Sequence, residues 1–194
     1  MNLKIIILLL LSIASFLAQE KDISLIKSVD NIVSTSDSLR DNNFCELRAF
    51  VKTSNSDIPA EIFDFENWPE NIIETYNIFT DSNKTPVIFI VFPYSESGDW
   101  SLTHSFYFDS SGKTVFYQYY LGFFNSICTE VMRKYIQIYF NDNFELITKI
   151  EKYEDENYNT LSDISNCEIN YDFKAEYSGN ICFEQILSKY KIKL

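Results

Sequence analysis

The 194-residue sequence is poor in histidine and glycine, with one histidine and four glycines. A zinc site built from several imidazoles therefore cannot form within one chain. Glycine is too scarce for a loop that cradles phosphate, and the sequence contains no P-loop, no G-x-S-x-G and no H-E-x-x-H motif. We expect neither a metal nor a cofactor.

Basic residues are scarce as well. The sequence has 16 Lys and Arg against 28 Asp and Glu, which gives a net charge of −12. A surface of this sign repels phosphate backbones and anionic lipid heads. Nucleic acid is therefore not an expected partner. Acidity by itself indicates only solubility, although an inhibitor-like or immunity-like protein could use it to neutralise a basic partner.

Long apolar runs are missing outside the N-terminus. There, Lys4 precedes an apolar run over residues 5–18, and polarity returns at Glu20. This order of basic, apolar and polar segments is typical of a secretory signal peptide, and the run is shorter than the ~20 residues that span a bilayer. We expect residues 1–19 to be a signal peptide and residues 20–194 to be a single domain, secreted or periplasmic, with no stable membrane insertion after cleavage.

The four cysteines include no C-x-x-C pair, which argues against a zinc or thioredoxin-like site. In an oxidising compartment their even number predicts two disulfides, and three connectivities are open. We favour Cys128 with Cys167, because this pair encloses a predicted hairpin. That pairing leaves Cys45 for Cys182.

Segments dense in β-branched and aromatic residues follow one another after residue 71, separated by the short turn sequences SNK, ESGD, SSG and NDN. Short turns predict antiparallel neighbours. Residues 53–69 carry Pro59 and Pro69 and are predicted to be a loop. A short helix is predicted over residues 182–190.

The N-terminal part of the mature chain has helical spacing of its apolar residues, at Ile26, Val29 and Val33, with Asp22 or Ser24 available as N-cap. We therefore predict an α+β fold. It consists of an antiparallel β-meander sheet of roughly six to eight strands, an N-terminal helix packed on one face and a short C-terminal helix.

The single histidine, His104, lies between Ser101 and Asp109. A three-residue loop that ends at Gly112 places His104 opposite Gln118 in the predicted hairpin. Ser101 and Asp109 then point to the other face, which argues against a local Ser-His-Asp triad. We interpret His104 as a structural residue. The alternative is a hydrolase with a dispersed active site in which His104 is the general base.

The same hairpin pairing predicts that Tyr117 and Tyr119 share a face with Ser105. If the helix covers the other face, these tyrosines form an open surface suited to a protein or a glycan. The sequence therefore favours a secreted or periplasmic, non-catalytic binding module whose ligand it does not identify.

Overall fold

The computed structural model describes residues 3–64, 66–124, 126, 128–165, 167 and 181–194, with side chains from residue 20 onward. The elements are, in chain order, α1 (Leu3–Asp41), β1 (Glu46–Thr53), β2 (Ser56–Ile62), β3 (Ile72–Thr80), β4 (Pro86–Pro93), β5 (Trp100–Phe108), β6 (Thr114–Phe124), β7 (Val131–Phe140), β8 (Leu146–Glu154) and α2 (Phe183–Lys189). The predicted α+β architecture is confirmed, with an eight-stranded antiparallel sheet between two helices.

The strands lie in the order β2-β1-β3-β4-β5-β6-β7-β8, so only β2 departs from a simple meander. This strand corrects the prediction of a loop over residues 53–69. It pairs with β1, with Val51 opposite Ala60. Pro59 is accommodated because β2 is an edge strand, where a missing N–H on the outer side costs no ladder hydrogen bond.

Helix α1 lies across one face of the sheet, which we call the front face. Ile26, Val29 and Val33 pack there against the strands, as their spacing predicted. The hydroxyls of Tyr107 and Tyr139 donate to the carboxylates of Asp37 and Asp30, at 2.9 Å and 3.1 Å. These contacts lie near the β5–β6 and β7–β8 turns, so the helix covers one end of the strands.

The helix begins at Leu3, so the N-cap predicted at Asp22 or Ser24 is wrong, because both residues lie inside a continuous helix. That residues 1–19 form a signal peptide stays a prediction. Within the part of the chain that the structure describes, no helix is long and apolar enough to cross a membrane.

The opposite face, the back face, is packed by α2 and the residues beside it. Phe183 contacts Phe108, with ring centroids 5.4 Å apart, and Tyr190 contacts Tyr76 at 5.3 Å. The hydroxyl of Thr114 donates to the carbonyl of Ile181 at 2.7 Å. The main hydrophobic core therefore lies on the back face.

The cysteines confirm one predicted disulfide and contradict the other. Cys128 and Cys167 are bonded, whereas Cys45 and Cys182 are free thiols. Cys45 packs with the front-face residues, while Cys182 is the N-cap of α2 on the back face. The sheet lies between them, so they cannot pair. Burial, together with the charge of Asp81, raises the pKa of the Cys45 thiol.

The hairpin of β5 and β6 has the predicted turn but a different pairing. The N–H of Asp109 donates to Lys113 O at 2.9 Å, and Gly112 has φ of 76°. A bulge follows: Phe108 pairs with Thr114, and the next pair is Tyr107 with Phe116. Val115 is the extra residue of the bulge, so each later residue of β6 pairs with the neighbour of its predicted partner on β5. Because side chains alternate between faces along a strand, each of these β6 residues lies on the face opposite to the one predicted.

Candidate functional site

His104 lies on the back face, opposite Tyr119 and not opposite Gln118 as predicted. Its side chain is buried, and its Nδ1 is 2.8 Å from the Tyr117 hydroxyl. The Tyr119 ring meets the imidazole edge-on, with centroids 5.4 Å apart. This environment is that of a core histidine bonded to a phenol. The predicted partner Gln118 is replaced by Tyr117, and the structural role of His104 stays a prediction.

The triad partners weighed for His104 lie elsewhere. Ser101 is on the same strand as His104 but is exposed on the front face, whereas His104 lies on the back face. Asp109 caps the β5–β6 turn, where its carboxylate accepts from the N–H groups of Ser111 and Lys113 at 2.8 Å and 3.0 Å. The fold therefore does not bring these three side chains together.

The predicted exposure of Tyr117 and Tyr119 is wrong. The two side chains are 1% and 0% exposed and belong to the back-face core. The bulge at Val115 is the physical reason, because it pairs Tyr117 with Phe106 in place of Ser105. Ser105 was predicted on the open face with these tyrosines, but it lies on the front face opposite Gln118 and is largely buried at 8% exposure.

The front face is divided into two halves along β5, β6 and β7. Beneath α1, the cross-strand row is Tyr107, Phe116 and Tyr139, all buried. Beyond α1, three successive rows carry only polar, aromatic or glycine residues. We call these nine positions the polar grid: Ser105, Gln118 and Gln137; Thr103, Tyr120 and Tyr135; Ser101, Gly122 and Arg133.

The centre of the polar grid is a pair of half-buried tyrosines. The rings of Tyr120 and Tyr135 lie with centroids 5.1 Å apart and planes inclined by 52°. The Nζ of Lys152, on the neighbouring strand β8, is 4.6 Å from the Tyr135 centroid. Burial, with the charges of Glu154 and Tyr120, raises the pKa of Tyr135, so the Tyr135 hydroxyl is neutral at physiological pH. The pair offers apolar ring surface beside hydrogen-bonding groups.

Gly122 gives Tyr120 the space it occupies. A Cβ at this position would lie 2.8 Å from the Ser101 hydroxyl and 3.0 Å from the Tyr120 hydroxyl. Both distances are shorter than a normal non-bonded contact, so any larger residue would displace these groups. Because Gly122 has no side chain, the hydroxyls of Ser101 and Tyr120 can lie close to its backbone.

The charged groups in the polar grid and beside it are already engaged. Lys152 forms an ion pair of 2.8 Å with the buried Glu154. Arg133 donates to the carbonyl of Asp155, and its guanidinium lies 4.2 Å above the ring of Tyr158. The grid thus presents hydroxyls, amides and aromatic rings with little uncompensated charge.

The arrangement lacks the groups that hydrolysis of a glycosidic bond needs. Such enzymes place a pair of carboxyl groups across the scissile bond, but no grid position carries a carboxyl group. Glu154, beside Arg133 in the pairing, is held by Lys152. Among the described residues there is also no group of three His, Cys, Asp or Glu that could hold a metal ion.

Comparison of the chain with protein-family models, with curated proteins and with solved structures found no match.

Proposed function

We propose that the protein is a non-catalytic binding module that holds a neutral saccharide on the polar grid. The observation that carries this proposal is the composition of the grid: nine adjoining front-face positions without one aliphatic side chain. The centre of a protein–protein interface is normally apolar. A surface of hydroxyls, amides, two tyrosines and one engaged arginine matches the alternating hydroxyl and C–H groups of a sugar ring more closely.

The tyrosine pair supplies the apolar part of this recognition. A tyrosine ring combines a large contact area with a polar tip and loses little conformational entropy when it binds. Ser101 and Thr103 on β5, and Gln118 and Gln137 on β6 and β7, provide donors and acceptors on either side of the rings. The net charge of −12 disfavours an anionic glycan, which is why the proposed ligand is neutral.

The experiment is calorimetric titration with soluble neutral oligosaccharides of glucose, mannose and N-acetylglucosamine. For a saccharide that binds the native protein, Tyr120→Ala and Tyr135→Ala should each weaken binding by about 2 kcal/mol, which is roughly thirtyfold. Tyr94→Ala is the matched control, because Tyr94 is 56% exposed and lies outside the grid.

Equal loss of affinity in the Tyr94 variant would contradict the proposed location. Failure of every neutral saccharide would contradict the proposed ligand. A protein partner is tested separately with a photo-reactive side chain at Thr103: a cross-linked protein that is lost in the Tyr120 variant would place a protein, and not a sugar, on the grid.

A further inference from the structure

The turn between β3 and β4 contains the sequence Asn83-Lys84-Thr85. An asparagine followed two positions later by serine or threonine, with any residue except proline between them, is the acceptor pattern for N-linked glycosylation. No other asparagine in the sequence is followed in this way. The pattern is short and occurs by chance, so its structural setting decides whether it can be used.

The setting is a tight turn held by its own aspartate. The Asp81 carboxylate accepts from the backbone N–H groups of Asn83 and Thr85, at 2.8 Å and 2.9 Å. Lys84 adopts a left-handed conformation, with φ of 65°, and forms an ion pair with Glu46 on β1. The turn backbone and the lysine are therefore fixed, while Asn83 is exposed at the tip.

The two side chains of the pattern are not engaged by other described residues, and Asn83 is exposed while Thr85 is half-buried. Neither the Asn83 amide nor the Thr85 hydroxyl makes a side-chain hydrogen bond within the residues that the structure describes. Asn55, at the β1–β2 turn, is equally exposed but is followed by Ser56 and Asp57. Asn83 thus combines the sequence pattern with an unengaged side chain.

We infer that Asn83 is the acceptor of an N-linked glycan that is added when the chain is secreted. The inference rests on the predicted signal peptide and is independent of the polar grid. In the reaction, the Asn83 Nδ2 attacks the anomeric carbon of a lipid-pyrophosphate-linked oligosaccharide supplied by the secretory membrane. A C–N bond forms, the bond from that carbon to the pyrophosphate oxygen breaks, the lipid pyrophosphate leaves, and the amide loses one proton.

The position of Asn83 is compatible with the proposed function. The β3–β4 turn lies at the end of the strands that α1 covers, as the β5–β6 turn does. The polar grid extends toward the opposite end. A sugar chain on Asn83 would therefore leave the grid open and would add solvated bulk to the covered end of the sheet.

The test is peptide mapping by mass spectrometry of the full-length chain expressed through the secretory route of its native host. Treatment with a peptide-N-glycosidase, which converts a glycosylated asparagine to aspartate, should change the peptide that contains Asn83 and no other. Thr85→Ser should keep the modification, whereas Thr85→Ala and Asn83→Gln should abolish it. Asn55→Gln is the matched control and should leave it unchanged.

An unmodified Asn83 in the exported protein would overturn the inference, and so would a modification that persists in Thr85→Ala. Thermal melting of each variant shows whether it is folded. Because Thr85→Ser and Thr85→Ala differ only by the hydroxyl at this turn, their comparison separates loss of the acceptor pattern from loss of the fold.

Discussion

Tyr119 and Tyr120 are neighbours in sequence but lie on opposite faces of the sheet. Tyr119 is 0% exposed and packs in the back-face core beside His104, whereas Tyr120 is half-buried and pairs with Tyr135 on the polar grid. Tyrosine therefore fills the core on the back face, whereas on the front face its ring is partly exposed and available for binding. The difference comes only from alternation along β6, and the following predictions test it.

The largest expected effect is on folding. Tyr119→Ala should lower the free energy of unfolding by about 3–5 kcal/mol, because it leaves a cavity in the core. Tyr120→Ala should lower it by about 1 kcal/mol or less, as is usual for side chains near the surface. Denaturant unfolding of both variants measures the comparison. Equal losses would show that the two rings do not differ in burial.

Alkaline pH should weaken the covered half of the front face. Burial and the hydrogen bond to Asp30 raise the pKa of Tyr139 to about 12, and burial with the charge of Asp37 raises the pKa of Tyr107. In the unfolded chain a tyrosine titrates near pH ~10. The folded pKa is the higher one, so this stabilisation is complete below pH ~10 and is lost as the pH rises through the folded value.

The measurement is the denaturant midpoint as a function of pH, with Tyr139→Phe as the comparison. The phenylalanine variant should lose less stability across this alkaline range, because it has no hydroxyl to ionise next to Asp30. An unchanged pH dependence in Tyr139→Phe would contradict the contact between α1 and the sheet.

A smaller effect is expected at His104. His104→Gln removes the imidazole that contacts the Tyr117 hydroxyl, and disturbing a buried hydrogen bond costs about 1–3 kcal/mol. Saccharide affinity should stay within a few-fold of the native value, because His104 lies on the face opposite the grid. A collapse of affinity in a folded His104→Gln variant would move the functional site to the back face.

The smallest effect on stability is expected at Gly122. In Gly122→Ala the new methyl group meets the ends of two side chains, Ser101 and Tyr120, so the free energy of unfolding should change by less than about 1 kcal/mol. Displacement of the Tyr120 ring should nevertheless weaken saccharide binding by roughly tenfold. Calorimetric titration measures this, and unaltered affinity would show that the ring position is unimportant.

Much of the fold could be predicted because its signals are local. Turn sequences such as SSG and NDN set the antiparallel order, and the spacing of Ile26, Val29 and Val33 identified the packed side of α1. The Cys128–Cys167 pair followed from the hairpin that it encloses. The turns and the helix depend on residues close together in sequence, and the disulfide joins the two ends of one hairpin segment.

The candidate site could not be predicted correctly, because it depends on a bulge. Nothing in the sequence around Val115 marks it as the extra residue, and its presence alone pairs Ser105 with Gln118 in place of Tyr117. The edge strand β2 is likewise not predictable from its local sequence, because Pro59 is compatible with a strand only at an edge, and the edge position is set by the tertiary pairing. The polar residues at every second position of β5, Ser101, Thr103 and Ser105, do indicate a polar face, but without the bulge that face carries Tyr117 and Tyr119 in place of Tyr120.

The most direct test of the central claim is hydroxyl-radical footprinting of the folded protein, read residue by residue along β6 and β7. Tyr120 and Tyr135 should be oxidised readily, while Tyr117 and Tyr119 should react only after unfolding, since they are 1% and 0% exposed. Fast oxidation of Tyr117 or Tyr119, with protection of Tyr120, would place the tyrosines on the opposite faces and would contradict the polar grid as the binding surface.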